Sequence, residues 1–205
     1  MSLSNSDICS KFEDVKMFNV NIDALRRHKE NKVLALALRC QAVRSHGKTN
    51  TKSLPPGFEI KESVIIEKGA LNKGVFATEA IPEGGIIGEY TGNVRVQKRK
   101  IKLHRKDKCY NMTVSALFKV KPTNKNKARI IIDATDNKQS SFIRYINSVT
   151  GKNKNSVKEA MNQYYNIEFD EVRDRVYAYA HKPIAKGAEL VSDYMVASKH
   201  LPIKV

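Results

Sequence analysis

In the stretch SSFIRYINSV (140–149), Phe142, Ile143, Ile146 and Val149 have the character of core, yet Arg144 and Asn147 stand among them three residues apart. A polar group in such a setting is costly unless another group satisfies it. Asn147 therefore marks a place where a side-chain amide holds either a ligand or a second backbone segment. Other chemistries lack their residues. The sequence has no nucleophile elbow, no P-loop, no G-x-G-x-x-G and no H-E-x-x-H pattern. The histidines at 28, 46, 104, 181 and 200 show no ligand spacing and read as surface or satisfied core. Cys9, Cys40 and Cys109 are far apart and form no C-x-x-C. That argues against a disulfide framework and against a zinc site, and it suits a reduced compartment, the cytosol or nucleus.

The formal net charge is +16 over 205 residues, which favours contact with polyanions and says nothing of fold. The charge is uneven. Between Val94 and Arg129 there are thirteen Lys or Arg against one acid, Asp107, and QKRKIKLHRKDK (97–108) is the densest part. Lys98, Arg99, Lys100, Arg105 and Lys106 can be a solvated loop, or a patch for nuclear import or for the DNA backbone.

These residues need elements to position them. Residues 1–20 read as loosely ordered. A helix is predicted over about 21–46, with Asn21 as its cap, Asp23 at its positive end, Ile22, Leu25, Val33, Leu36 and Cys40 at helical spacing, and Leu34 and Leu38 widening the apolar face. His46-Gly47 ends it, and GKTNTKSLPPG (47–57) reads as a linker. Short β-type runs follow: FEIKESVIIEK (58–68), KGVFATEAI (73–81), IIGEYTG (86–92), ARIIIDA (128–134), RVYAYAHKPI (175–184) and a last strand within AKGAELVSDYM (185–195). SVKEAMNQYY (156–165) reads as a short helix. Many short strands with Gly and Pro turns predict a mostly β domain. With 41% hydrophobic residues the chain can bury a core. It has no run long enough to span a membrane and no apolar leader.

Four segments in order carry a resemblance: NKGVFATEAIPEGGIIGEYTG (72–92), RIIIDA (129–134), SFIRYINS (141–148) and KPIAKGAELVSDY (182–194). Together they resemble the SET domain family of S-adenosylmethionine-dependent protein lysine methyltransferases. With SLPPGFEIKES (53–63) and the Arg-Tyr-Ile-Asn wording, the chain is most similar to the PR/SET branch of zinc-finger chromatin regulators. The resemblance spans about 54–194. It implies a β-rich fold of small sheets with a threaded C-terminal crossing, an N-terminal extension over 1–53 and a short flank over 195–205.

The resemblance also implies roles. The family's G-x-G turn toward the methyl donor falls on Asn72-Lys73-Gly74, followed by Val75, with Asn in place of the first Gly. Asn is the non-Gly residue most tolerant of the left-handed region. Arg144, Tyr145 and Asn147 match the family's R-F-I-N segment, while Ser148-Val149 replace its His-Ser. They are expected at the donor, with Tyr110 facing the same molecule. The family's second asparagine falls on Asn166, which makes 148–165 an insertion. Tyr194 matches the active-site tyrosine and Tyr90 a wall of the lysine channel; Tyr177 and Tyr179 can be core instead. Ser192, two before Tyr194, stands where the family tunes how many methyl groups are added. The implied cofactor is S-adenosylmethionine, with no metal in this chain, since the Cys-rich segment that follows the tyrosine in many relatives is missing from MVASKHLPIKV (195–205). The implied partner is a protein lysine, on a histone tail or nucleosome, with possible DNA backbone contact, no membrane, and a nuclear location with cytoplasm as the alternative. The competing reading is a catalytically weak SET-derived chromatin or protein-binding module. A plain nucleic-acid binder explains the charge and none of the four segments.

Overall fold

The computed structural model describes residues 9–11, 13–27, 32–47, 54–65, 73–97, 111–114, 129–148, 163–172 and 175–193. Near the N-terminus, helix α1 covers Asp23–Arg27 and helix α2 covers Lys32–Arg44. Asn21 does cap α1: its Oδ1 accepts the Asp23 N–H at 2.9 Å. Gly47, at φ 68°, ends the turn after α2 in the left-handed region that glycine enters without strain. The predicted apolar stripe is partly displaced. Val33 is 50% exposed, while Cys40 is buried with Leu34, Ala37, Leu38, Gln41 and Ala42.

Eight strands follow: β1 Phe58–Glu62, β2 Lys73–Ala77, β3 Ile86–Tyr90, β4 Asn93–Gln97, β5 Asn111–Val114, β6 Arg129–Asp133, β7 Ile167–Val172 and β8 Arg175–Ala180. They form three small antiparallel sheets among the described residues: β1-β2, β3-β8-β7 and β4-β6-β5. The basic cluster belongs to the connection between β4 and β5, the two strands that flank β6. Neither strand was legible beforehand, because Lys and Arg mask the alternation in this stretch.

The β3-β8-β7 sheet is covered on both faces, and β8 shows why. Val176, Ala178 and Ala180 point into the main core with Phe58, Ile87, Phe142, Ile146 and Leu190. Tyr177 points the other way, into a second cluster with Ile86, Ile22 and the helical residues Leu25, Leu34 and Leu38. This is the two-residue period of a strand with two buried faces. Burying each such side chain is worth about 1.5–3 kcal/mol, so the N-terminal helices are held by the sheet rather than by helix propensity.

One expectation is overturned here. Cys9 and Cys40 form a disulfide, with 5.4 Å between their Cα atoms and a sequence separation of 31. Motif spacing detects cysteines that are close along the chain; this pair meets only because the segment carrying Cys9 lies against α2. The last predicted strand also differs: Glu189, Val191 and Ser192 make isolated bridges to three different segments in place of a regular strand. Of the helix read over 156–165, only 163–165 lie within the described residues.

Candidate active site

Three segments converge on Asn147. β2 brings Lys73, Gly74 and Val75. A single 3-10 turn, Phe142–Tyr145, delivers Asn147 two residues beyond its end. The stretch 187–193 returns between them. Its outer half pairs with β2: Leu190 N–H donates to the Val75 carbonyl at 2.7 Å, and Ala77 N–H to the Ala188 carbonyl at 3.0 Å. Its inner half runs parallel to Asn147, whose carbonyl accepts the Ser192 N–H at 2.8 Å. On the other side Asn166 clamps the same stretch. Its Nδ2 donates to the Glu189 carbonyl and its Oδ1 accepts the Val191 N–H, both at 2.8 Å. The C-terminal segment thus passes between 147 and 166, which is the crossing the resemblance implied.

The Asn147 amide nitrogen donates to the Lys73 carbonyl at 2.8 Å and to Glu189 Oε1 at 3.1 Å. Glu189 is 6% exposed. Its Oε1 also accepts the Ser63 hydroxyl at 2.7 Å, and its Oε2 accepts the Val64 N–H at 2.8 Å. Gly74 is required by this carboxylate: a Cβ there would lie 2.3 Å from Glu189 Oε1. Glu189 and Ser63 were missed in the sequence. A lone acid beside Leu190 and Val191 is the one signal for Glu189; Ser63 offers none.

The other expected residues fall in different settings. Tyr90 is 7% exposed and packs edge-on against Phe169, with ring centres 5.9 Å apart. The Val75 side chain is core. The Arg144 guanidinium lies over the Tyr145 ring at 5.3 Å. Ser192 is 1% exposed. Tyr194, Asn72, Tyr110 and the patch residues Lys98, Arg99, Lys100, Arg105 and Lys106 lie outside the described residues, although Asp193 and Lys73, the chain neighbours of Tyr194 and Asn72, lie within them.

Two further polar clusters adjoin. Glu89 Oε1 accepts Arg39 Nη1 at 3.0 Å and Arg175 Nη1 at 2.9 Å. Burial still pushes its carboxyl above the ordinary value, against the pull of both arginines. Beside it, His46 Nε2 meets Thr91 Oγ1 at 2.9 Å, and burial with the nearby Arg39 charge lowers the imidazole pKa. On the helix-covered face of the sheet, Glu168 accepts the hydroxyls of Tyr165 and Tyr179 and lies 3.3 Å from His181. Burial and this carboxylate push Tyr179 up to about 12 and raise Tyr165 as well. Tyr177 and Tyr179 thus serve the packing of this face, and His46 and His181 are satisfied side chains.

The SET domain family model matches residues 72–195. The match covers more than half of the chain, and the protein belongs to the SET domain family. Among solved structures, the ATXR5 SET domain in complex with dimethylated histone H3 is similar at 20% identity and TM-score 0.51, over 82% of this chain and 67% of that one. ATXR5 with a monomethylated histone H3.1 gives 20% and 0.50, over 82% and 66%. The methyltransferase domain of human PR domain-containing protein 2 is similar at 24% and 0.48, over 70% and 80%. No curated protein sequence matches the chain.

Proposed function

We propose that this protein transfers methyl groups from S-adenosylmethionine to a lysine of a protein, in the first instance a histone in its nucleosome. The observation that carries the proposal is the crossing. Asn147 of the R-Y-I-N segment is bonded to Glu189 and Ser192, so that segment and the described part of the closing E-L-V-S-D run meet in one small region, which supports the reading.

The described residues fit a donor of this kind. Both N–H groups of Asn147 are engaged by the protein, which leaves the amide oxygen to meet a ligand. S-adenosylmethionine supplies a methyl group on a cationic sulfur. On this reading Asn72, Lys73, Gly74, Val75, Tyr110, Arg144, Tyr145 and Asn147 hold it. The attacking lysine must be neutral and in line, and aromatic walls, Tyr90 and Tyr110, exclude water and line its alkyl stem. The Tyr194 hydroxyl orients the amine. Ser192 presents little bulk next to that amine, so transfer proceeds past one methyl group. The Lys98, Arg99, Lys100, Arg105 and Lys106 cluster holds nucleosomal DNA, and with a histone substrate the location is nuclear.

The test is incubation of the protein with labelled donor and histones, nucleosomes and peptides, read by mass spectrometry. Tyr194→Phe is expected to lose about 10²–10³ in rate while it still binds the donor. Product that stops at one methyl group under excess donor would refute the role of Ser192. Donor or nucleosome binding without any transfer would favour the binding-module reading instead.

A further inference from the structure

We propose that Glu189 is a positioning residue that fixes the polarity of the Asn147 amide, so that Asn147 faces a bound molecule as a hydrogen-bond acceptor only. The proposal rests on the donor-site reading of Asn147 given above. An asparagine amide can turn over and exchange its donor and acceptor ends, and its orientation is set by the groups around it. Here the Nδ2 end faces two acceptors, the Lys73 carbonyl at 2.8 Å and Glu189 Oε1 at 3.1 Å. Turned over, Oδ1 would point at a carbonyl and a carboxylate together, with no hydrogen between them. A carbonyl alone would oppose that; a charged carboxylate opposes it more strongly.

Glu189 is itself held still. Ser63 Oγ and Val64 N–H donate to it at 2.7 and 2.8 Å, and the absent side chain of Gly74 leaves the space its carboxylate fills. The carboxylate is buried at the crossing, and among the described residues no Lys or Arg forms an ion pair with it. Its charge therefore remains as a local negative potential beside Asn147. Both features, the acceptor oxygen and the negative potential, select for a ligand group that carries N–H or positive charge.

The experiment uses S-adenosylmethionine as the probe, by calorimetric titration, on the wild type and on Glu189→Gln, Ser63→Ala, Asn147→Ala and the Asn147→Ala/Glu189→Gln double variant. The amide introduced by Glu189→Gln can present an N–H to Asn147, which allows the Asn147 amide to turn. Donor affinity is expected to fall at least tenfold in Glu189→Gln and by a smaller factor in Ser63→Ala, which loosens the carboxylate but leaves it an acceptor facing Asn147. In the double variant, Glu189→Gln should add nothing to the loss caused by Asn147→Ala, because it acts through that residue. Unchanged affinity in Glu189→Gln, or losses that add in the double variant, would overturn the positioning role while the donor site stands. No binding by the folded wild type would overturn the donor-site reading itself. The side-chain amide hydrogens of Asn147, followed by NMR in the wild type, give a readout independent of whether the variants fold. Slow exchange of both supports the assignment, and rapid exchange of both refutes it.

Discussion

Glu189 and Glu89 are both closed to solvent, at 6% and 3% exposure, yet they are held by opposite means. Neutral dipoles surround Glu189: a hydroxyl, a backbone N–H and an amide. Two guanidinium groups reach Glu89, and both bind the same oxygen, while Oε2 has no partner among the described residues. The difference follows from position. Glu189 lies in the crossing, where three backbone segments meet and can aim short donors at it. Glu89 lies on a strand beneath α2, where the available donors are long side chains, Arg39 and Arg175, each about 40% exposed. Short dipoles define a geometry, and long cations supply charge. The first arrangement suits a site that must orient a ligand; the second suits the docking of a helix.

The comparison can be broken most severely at Gly74. A methyl group there would meet Glu189 Oε1 at 2.3 Å and Cδ at 2.7 Å, and three donors restrain the carboxylate from moving aside. Gly74→Ala should cost about 3 kcal/mol or more, from overpacking together with lost buried hydrogen bonds, read as a shift in urea midpoint. A midpoint equal to wild type would show that the carboxylate is not pinned. Asn147→Ala comes next. It leaves the Lys73 carbonyl and Glu189 each short of a donor and should cost about 1–3 kcal/mol, with weaker S-adenosylmethionine binding. An unchanged melting temperature and dissociation constant would place Asn147 outside both the hub and the site.

The family resemblance reached the crossing because the residues that carry it are distinctive: an Asn and an Arg in an apolar run, an E-L-V-S-D-Y close, a second Asn at 166. It did not reach Glu189 as a partner of Asn147, or Ser63 as a partner of Glu189, since they lie 42 residues after and 84 before Asn147 and meet only through the fold. The strands Asn93–Gln97 and Asn111–Val114 were hidden by the surrounding cations, and the Cys9–Cys40 bond by its span. Tyr90 shows the converse. Its place in the E-Y-x-G segment was plain, but its edge-on packing against Phe169 depends on how β3 and β7 flank β8.

Glu89 gives a smaller effect whose sign sharpens the contrast. Burial raises its pKa above 4.5 in the folded state. Between that ordinary value and the raised one, the folded state binds more protons than the unfolded state, so stability falls as pH rises through the window. Glu89→Gln removes the titration, and its melting temperature should fall less than that of wild type over this window. Arg39→Met should lower stability chiefly above the window, where the carboxylate is ionised and loses one of its two cations. A wild-type and Glu89→Gln pair with parallel pH profiles would mean that Glu89 is not desolvated.

His46 should produce the smallest change, and in the opposite direction. Thr91 Oγ1 accepts the Ser141 N–H at 2.7 Å, so its single hydrogen is available to His46 Nε2, 2.9 Å away. A neutral ring can accept it at that nitrogen. Burial and the Arg39 charge lower its pKa from 6.5. Below that value the unfolded chain takes up a proton that the folded chain does not, so stability is lost as pH falls. The position matters because Ser141 opens the turn that delivers Asn147, and α2 reaches it through His46. His46→Gln retains an acceptor without a titration, and its melting temperature should decline less than that of wild type as pH falls from 6.5. The Glu89 titration has the other sign, so the difference is best taken in a Glu89→Gln background. If the His46→Gln profile there parallels its parent, the imidazole is not held neutral, and Thr91 receives its hydrogen bond from a protonated ring instead.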